Sequence, residues 1–377
     1  MASAGDDEAA SPVVEAAAAA PEAAPVTTAE TQITVSRGFS DWLGRARCSL
    51  AFTSYQTGQL FLVGRLPDGR VSFHQQNYSR AMGVHATPRR IYVGARYQIW
   101  RLENALAPHE RANGDFDRLF VPRNAQTTGD VDLHELSVDR RGRIIFVNTK
   151  FSCLATTSPT HGFKPLWKPS FISRLAAEDR CHLNGLGMED GAPAYATAVS
   201  RSDVAGAWRE RRSDGGVLID VRTDRIVAGG LSMPHSPRTG AGGIWLLESG
   251  RGMVTLVDPQ DGSKRDLTFC PGFLRGLALF EGQAIATVSL PRDGAFAGLQ
   301  LQDELARRSA EPWCGVCIVD LGNGDLIEWI RFRGAIKELF DVAIVPQALC
   351  PMALGVNSAE IQSMISFEEE FGPLVAT

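Results

Sequence analysis

No run of eighteen apolar residues occurs in this sequence of 377 residues, so no segment is expected to cross a bilayer as a helix. The first residues show neither the basic n-region nor the apolar h-region of a secretory signal. The seven cysteines are odd in number and irregularly spaced, which argues against a disulfide framework and for a reducing compartment, the cytoplasm. A Gly-x-Ser-x-Gly elbow, a Walker sequence and a His-Glu-x-x-His helix are all missing, which removes the commoner hydrolase, nucleotide-hydrolase and zinc-protease readings. Charge of neither sign dominates. The formal net charge is −5, and Arg209-Glu210-Arg211-Arg212 and Arg307-Arg308 read as solvated loop faces, so neither a nucleic acid nor a membrane is an expected partner.

What the chain does have is a repeat. A segment in which small and hydrophobic residues alternate, followed by a turn and an aliphatic strand, recurs roughly every 50 residues. The six copies begin at Met82-Gly83-Val84-His85, His134-Glu135-Leu136-Ser137, Asn184-Gly185-Leu186-Gly187, His235-Ser236-Pro237, Arg275-Gly276-Leu277-Ala278 and Phe340-Asp341-Val342-Ala343. They alternate with period two, are rich in Val, Ile and aromatic residues, and are separated by turn signals such as Pro67-Asp68-Gly69, Asp190-Gly191, Asp261-Gly262 and Asn323-Gly324. This pattern predicts an all-β fold, a six-bladed β-propeller in which each copy is one blade. Too little chain follows the sixth copy for a full blade. Three strand-like pieces at Leu50-Ala51-Phe52-Thr53, Leu60-Phe61-Leu62-Val63 and Val71-Ser72-Phe73 precede the first. The ring is therefore expected to close by pairing N-terminal strands with a C-terminal inner strand, which leaves no sheet edge at the seam.

Residues 1–40 are assigned to an acidic Ala/Pro-rich disordered tail, 41–356 to a single propeller domain and 357–377 to a C-terminal tail. Trp313-Cys314-Gly315-Val316-Cys317 superficially resembles a thioredoxin motif, but it leads straight into Ile318-Val319-Asp320-Leu321, so both cysteines are read as strand residues. Leu299-Gln300-Leu301-Gln302-Asp303-Glu304-Leu305 is the best helical candidate, an insertion near a channel mouth.

The first strand of each blade lines the channel, so residues about fifty apart in sequence crowd round one mouth. In register, that mouth receives Met82, His134, Asn184, His235, Arg275 and Phe340, with His182, Glu338, Asp130 and Asp132 close by. His134, His182 and His235 with nearby carboxylates suit a divalent ion such as Zn²⁺ or Fe²⁺. An open coordination position on that ion would support hydrolase or lyase chemistry, with Asp132 or Glu135 as base and Arg275 as anion clamp. Asn184, Arg275, Glu338 and Asp341 are the candidate contacts for a small polar or anionic ligand. Two further readings stay open: such a ligand held without metal, or a structural polar plug in a non-catalytic scaffold that binds a protein through residues 167–171 and 208–212. Arg275 could equally pair with Glu338 or Asp341. His74, His85, His109 and His161 are read as surface or turn residues.

Several segments carry a family resemblance: Thr128-Gly129-Asp130-Val131-Asp132-Leu133-His134-Glu135, Glu178-Asp179-Arg180-Cys181-His182-Leu183-Asn184-Gly185, Trp208-Arg209-Glu210, Ser232-Met233-Pro234-His235-Ser236-Pro237-Arg238 and Gly272-Phe273-Leu274-Arg275-Gly276-Leu277. From about Ser49 to Gly355 the chain resembles a bacterial family of conserved propeller-like proteins without an assigned biochemical function. The resemblance implies the propeller fold and no particular chemistry. The chain departs from that pattern at His85 and at Cys317.

Overall fold

The computed structural model describes residues 30–290 and 298–368. The first 29 residues, most of the expected tail, lie outside the described residues. Residues 30–40, grouped with that tail on composition, hold a strand, β1 (Gln32–Val35), and the start of a helix, α1 (Phe39–Ala46). Phe39, Trp42 and Leu43 fall at i, i+3 and i+4, so one face of α1 is apolar and buried. The helix ends at Arg47, in the left-handed conformation with φ 47°.

Six sheets follow in chain order. The first holds β2 (Cys48–Ser54), β3 (Gln59–Arg65) and β4 (Val71–Asn77). The second holds β5 (Val84–Ala86), β6 (Arg90–Gly94), β7 (Gln98–Asn104) and β8 (Arg118–Thr127). The third is β9 (Leu133–Val138), β10 (Ile144–Asn148), β11 (Cys153–Thr156) and β12 (Lys164–Trp167), and the fourth is β13 (Leu183–Glu189), β14 (Ala192–Ala198), β15 (Gly216–Asp220) and β16 (Arg225–Leu231). The fifth is β17 (Pro234–Gly240), β18 (Gly243–Glu248), β19 (Met253–Val257) and β20 (Lys264–Phe269). The sixth is β21 (Phe273–Phe280), β22 (Gln283–Ser289), β23 (Cys314–Asp320) and β24 (Leu326–Arg333), with helix α2 (Leu301–Arg307) between β22 and β23. The remaining strands are β25 (Val342–Pro346) and β26 (Pro351–Ala353).

Strand β25 pairs antiparallel with β2, from Cys48 opposite Pro346 to Phe52 opposite Val342, so the chain's two ends complete one blade. The expected seam is there. Two outer additions were not legible: β1 extends the sixth sheet beside β24, and β26 runs parallel to β8. Each buries hydrogen-bonding groups that would otherwise form an exposed sheet edge. Contacts between inner strands run from β5 through β9, β13, β17 and β21 to β25 and back to β5, which closes a six-bladed β-propeller.

The six junctions alternate between two devices. A Cβ added at Gly83 would lie 3.0 Å from Glu135 Cα, one at Gly185 3.0 Å from Ser236 N, and one at Gly276 2.6 Å from Asp341 Cα. Three junctions are thus backbone against backbone, which only glycine allows. At the other three the facing polar residue bonds onward to the next strand. Glu135 Oε2 accepts from Leu186 N at 2.6 Å, Ser236 Oγ donates to the Arg275 carbonyl at 2.9 Å, and Asp341 Oδ2 accepts from Val84 N at 2.9 Å. The repeated small residue is a packing requirement at the axis.

Cys314 and Cys317 lie in β23 and are fully buried. The Cys317 thiol donates to Cys270, which together with burial pushes it well above its ordinary value, and burial pushes the Cys314 thiol up as well, so neither is poised as a thiolate. Helix α2 buries Leu301 and Leu305 against Val199, Trp208, Met233 and Phe273, so it is a packed helix beside the channel mouth. Among the described residues no helix is long and apolar enough to cross a membrane.

Candidate functional site

The inner strands begin around one cavity of about 310 Å³, walled by Met82, His134, His182, His235, Arg275 and Phe340 together with Asp132, Asp179, Trp208 and Arg209. They run away from it to a second cavity of about 310 Å³, where His85, Glu135, Ser137 and Arg238 converge. Five of the six entrance positions read from the repeat therefore line the first cavity, and His182 joins them.

His134 and His235 are held in the same way. Nδ1 of His134 lies 3.0 Å from the Asp132 carbonyl and 2.8 Å from Thr149 Oγ1. Nδ1 of His235 lies 3.0 Å from the Met233 carbonyl and 2.8 Å from Ser249 Oγ. In both, the residue two before the histidine has a positive φ, 51° at Asp132 and 46° at Met233, which turns its carbonyl towards the ring. The carbonyl requires a donor, so each neutral ring carries its proton on Nδ1 and presents a lone pair at Nε2. Burial drives His134 down to about 4 and His235 well below the ordinary imidazole value, so both rings are neutral at pH 7.

His182 is anchored by a carboxylate instead. Its Nδ1 lies 2.9 Å from Asp179 Oδ2 and 3.1 Å from Oδ1, and the Trp208 indole N–H donates to the same Oδ2 at 2.8 Å. The His182 ring stacks on Trp208 with centroids 4.0 Å apart and meets the edge of His134 at 4.8 Å. Among the described residues no hydrogen bond engages Nε2 of either His134 or His182.

Asn184 does not join the wall. Its side chain is buried, accepts from Thr197 Oγ1 at 2.8 Å, and turns its amide N–H₂ towards His235 Nε2 at 3.3 Å. Strand alternation would have put His182 and Asn184 on one side, but His182 has φ 50° and precedes β13, so the alternation does not reach it. The same correction applies to Asp132, whose φ of 51° breaks the extended run assumed for Asp130, Asp132 and His134. Asp130 turns away to pair with Arg80. Asp132 stays in the wall, 3.6 Å from Arg80. Burial opposes its charge, but His134, His182, Arg80 and Arg275 outweigh that and hold it below the usual carboxylate range.

Glu135 and Asp341 are displaced from the expected site. Glu135 lines the second cavity, where it pairs with Arg238, and Asp341, in the wall of neither cavity, accepts from the backbone N–H groups of Val84 and Val342. Glu135 follows His134 in a strand, so its side chain projects away from that of His134 and cannot serve as its partner base. Burial, then the nearby Glu135 charge, pushes Asp341 up to about 8. Arg275 lines the cavity over the rings of Phe273 and Phe340, and its Nη2 lies 3.5 Å from Glu338 Oε2. Of the two pairings weighed for Arg275, the one with Glu338 is formed.

The donor set does not fit the expected metal. His235 Nε2, which would be its ligating atom, faces the Asn184 amide. Among the described residues no group of three or more His, Cys, Asp or Glu side chains is arranged to hold an ion. Trp208, expected on an exposed recognition loop, is buried against His182. His85, read as a turn residue, belongs to inner strand β5 and lines the second cavity. Asp179, Trp208 and Arg209 were missed as site residues, although all three stand in segments that carry the family resemblance and Asp179 lies three residues before His182.

A comparison with curated protein sequences finds no match. Among solved structures, the crystal structure of a nidogen/laminin complex contains a chain similar in fold, with a TM-score of 0.50, 12% identity, and coverage of 80% of this chain and 99% of that one. At that identity the likeness concerns the propeller alone. A family profile matches residues 37–354, from just before α1 to just after β26. The chain belongs to the family described as domain of unknown function (DUF4915).

Proposed function

We propose that the protein binds a small organic anion, a carboxylate, in the cavity bounded by His134, His182 and Arg275. One observation carries the reading: the carboxylates at this mouth are each engaged by a cation or a hydrogen-bond donor, whereas the Arg209 guanidinium has no carboxylate partner among the described residues. Of the two carboxylates in the wall, Asp132 lies 3.6 Å from Arg80, and Asp179 is shared by His182 and Trp208. Arg275 meets Glu338. Arg209 lies with its guanidinium 4.4 Å over the Trp208 ring, and among the described residues it forms no ion pair. A guanidinium at the rim of a concave site attracts and orients a carboxylate. The cavity volume falls at the small end of the ~300–1,000 Å³ typical of ligand sites, which suits a molecule of metabolite size. Metal coordination and metal-dependent hydrolysis are not part of this reading, because His235 Nε2 is engaged by Asn184.

The test is isothermal titration calorimetry with hexanoate, adipate and gluconate at low ionic strength. Saturable binding that weakens about tenfold in Arg209→Ala, weakens again in Arg209→Ala with Arg275→Ala, and fades with added salt supports the reading. Absence of binding by all three anions, or affinities unchanged in both variants, overturns it.

A further inference from the structure

We infer that the ligand of this cavity is a hydroxylated carboxylate, such as a sugar acid, whose hydroxyl groups donate to His134 Nε2 and His182 Nε2. The inference rests on the anion-binding reading above and adds the donor chemistry that the cavity demands.

The argument starts from the two Nδ1 atoms. That of His134 faces the Asp132 carbonyl, and that of His182 faces both oxygens of Asp179. A carbonyl and a carboxylate only accept, so a neutral ring at either position carries its proton on Nδ1 and offers Nε2 as an acceptor. Neither Nε2 has a hydrogen-bond donor among the described residues, whereas the third ring, His235, receives one from Asn184. The cavity thus presents two fixed acceptors beside the guanidinium groups of Arg209 and Arg275.

A ligand that satisfies all of these groups carries an anion for the guanidinium groups and donors for the imidazoles. An ammonium donor is disfavoured beside the Arg209 guanidinium, which has no carboxylate partner among the described residues, since Asp132 and Asp179 are already engaged by Arg80, His182 and Trp208. A hydroxyl donates without adding charge, and a bare alkyl chain would leave both acceptors desolvated without a partner, at about 1–3 kcal/mol each. Sites built to meet a substrate hydroxyl reject the analogue that lacks it far more strongly than apolar pockets separate homologues. The Asp179 carboxylate and the Trp208 indole fix the His182 ring, so its acceptor is pre-oriented.

The experiment compares gluconate with hexanoate, two six-carbon monocarboxylates that differ in their hydroxyls, by calorimetry at pH 8. Gluconate is expected to bind at least tenfold more tightly than hexanoate to the wild type. In His182→Phe that ratio is expected to fall towards one through loss of gluconate affinity, with hexanoate little changed. Equal affinities in the wild type overturn the hydroxyl inference and leave the anion reading standing; no binding of either overturns the hydroxyl inference, and the anion reading falls with it only if adipate also fails to bind. Should His182→Phe fail to fold, ¹⁵N spectra of the wild-type histidines decide. Unprotonated Nε2 signals for His134 and His182 that shift on adding gluconate but not hexanoate support the inference, and signals unmoved by saturating gluconate overturn it.

Discussion

Gly276 and Asp341 meet across the last blade junction, where a Cβ on the glycine would come within 2.6 Å of the Asp341 α-carbon and 2.7 Å of Val342 N. Both obstacles are backbone of an inner strand held on its other side by β2, so neither yields as a flexible side-chain end would. Gly276→Ala is expected to destabilise the fold by about 1–3 kcal/mol, the usual range for overpacking, in urea denaturation. Gly229→Ala is the control, since a Cβ there meets nothing within 4 Å. Equal stability of the two variants would show that the junction relaxes.

Asp341 makes stability depend on pH. Its folded-state value is raised to about 8, against about 3.9 in an unfolded chain. Between those values the unfolded chain has released a proton that the folded one retains, so stability falls as pH rises from about 4 to about 8 and then levels. The group contributes a slope of up to about 1.4 kcal/mol per pH unit. His134 and His235, buried and neutral, act oppositely: their contribution is lost as pH falls below about 6.5, where the unfolded rings protonate. Denaturation midpoints of wild type and Asp341→Asn from pH 5 to 9 separate the terms. The variant should be less stable overall, having lost one acceptor, yet its stability should decline less between pH 6.5 and 8. Parallel profiles would assign the pH dependence elsewhere.

The engagement of His235 by Asn184 bears on metal content. Elemental analysis of purified protein is expected to find no near-stoichiometric Zn, Fe or Mn that disappears in the His134/His182/His235 triple alanine variant. A metal that does follow those residues would require Asn184 to swing away from His235 Nε2, and would replace the anion reading with a metal centre.

The seam gives a fourth expectation. Removing residues 340–377 takes away β25, leaving β2 as an unpaired edge facing the channel, and it also takes away β26. The truncated chain should lose cooperative unfolding and aggregate, as seen by circular dichroism melting and size-exclusion chromatography. A monomeric chain with an unchanged melt would show that the closure is dispensable.

The channel separates what sequence could tell from what it could not. Period-two alternation and a spacing of about fifty residues are local signals, so the sequence alone determined the repeated strands, the six blades, the seam and five of the six entrance residues at the mouth. His134, His235, Arg275 and Phe340 could be placed together without coordinates because a ring makes equal register mean equal position. The sequence could not tell which way each side chain turns, because backbone exceptions decide that. The positive φ values at Asp132, His182 and Met233 aim carbonyls and rings in ways that no alternation rule contains. Asp179 and Trp208 reach His182 from 3 and 26 residues away, and neither belongs to the repeat. The alternating glycine and polar junctions sent Glu135 and Asp341 along the axis, away from the histidines. Strand periodicity is a property of neighbours in the chain; hydrogen-bond satisfaction is a property of neighbours in space, and at this mouth it was decided only when the six blades met.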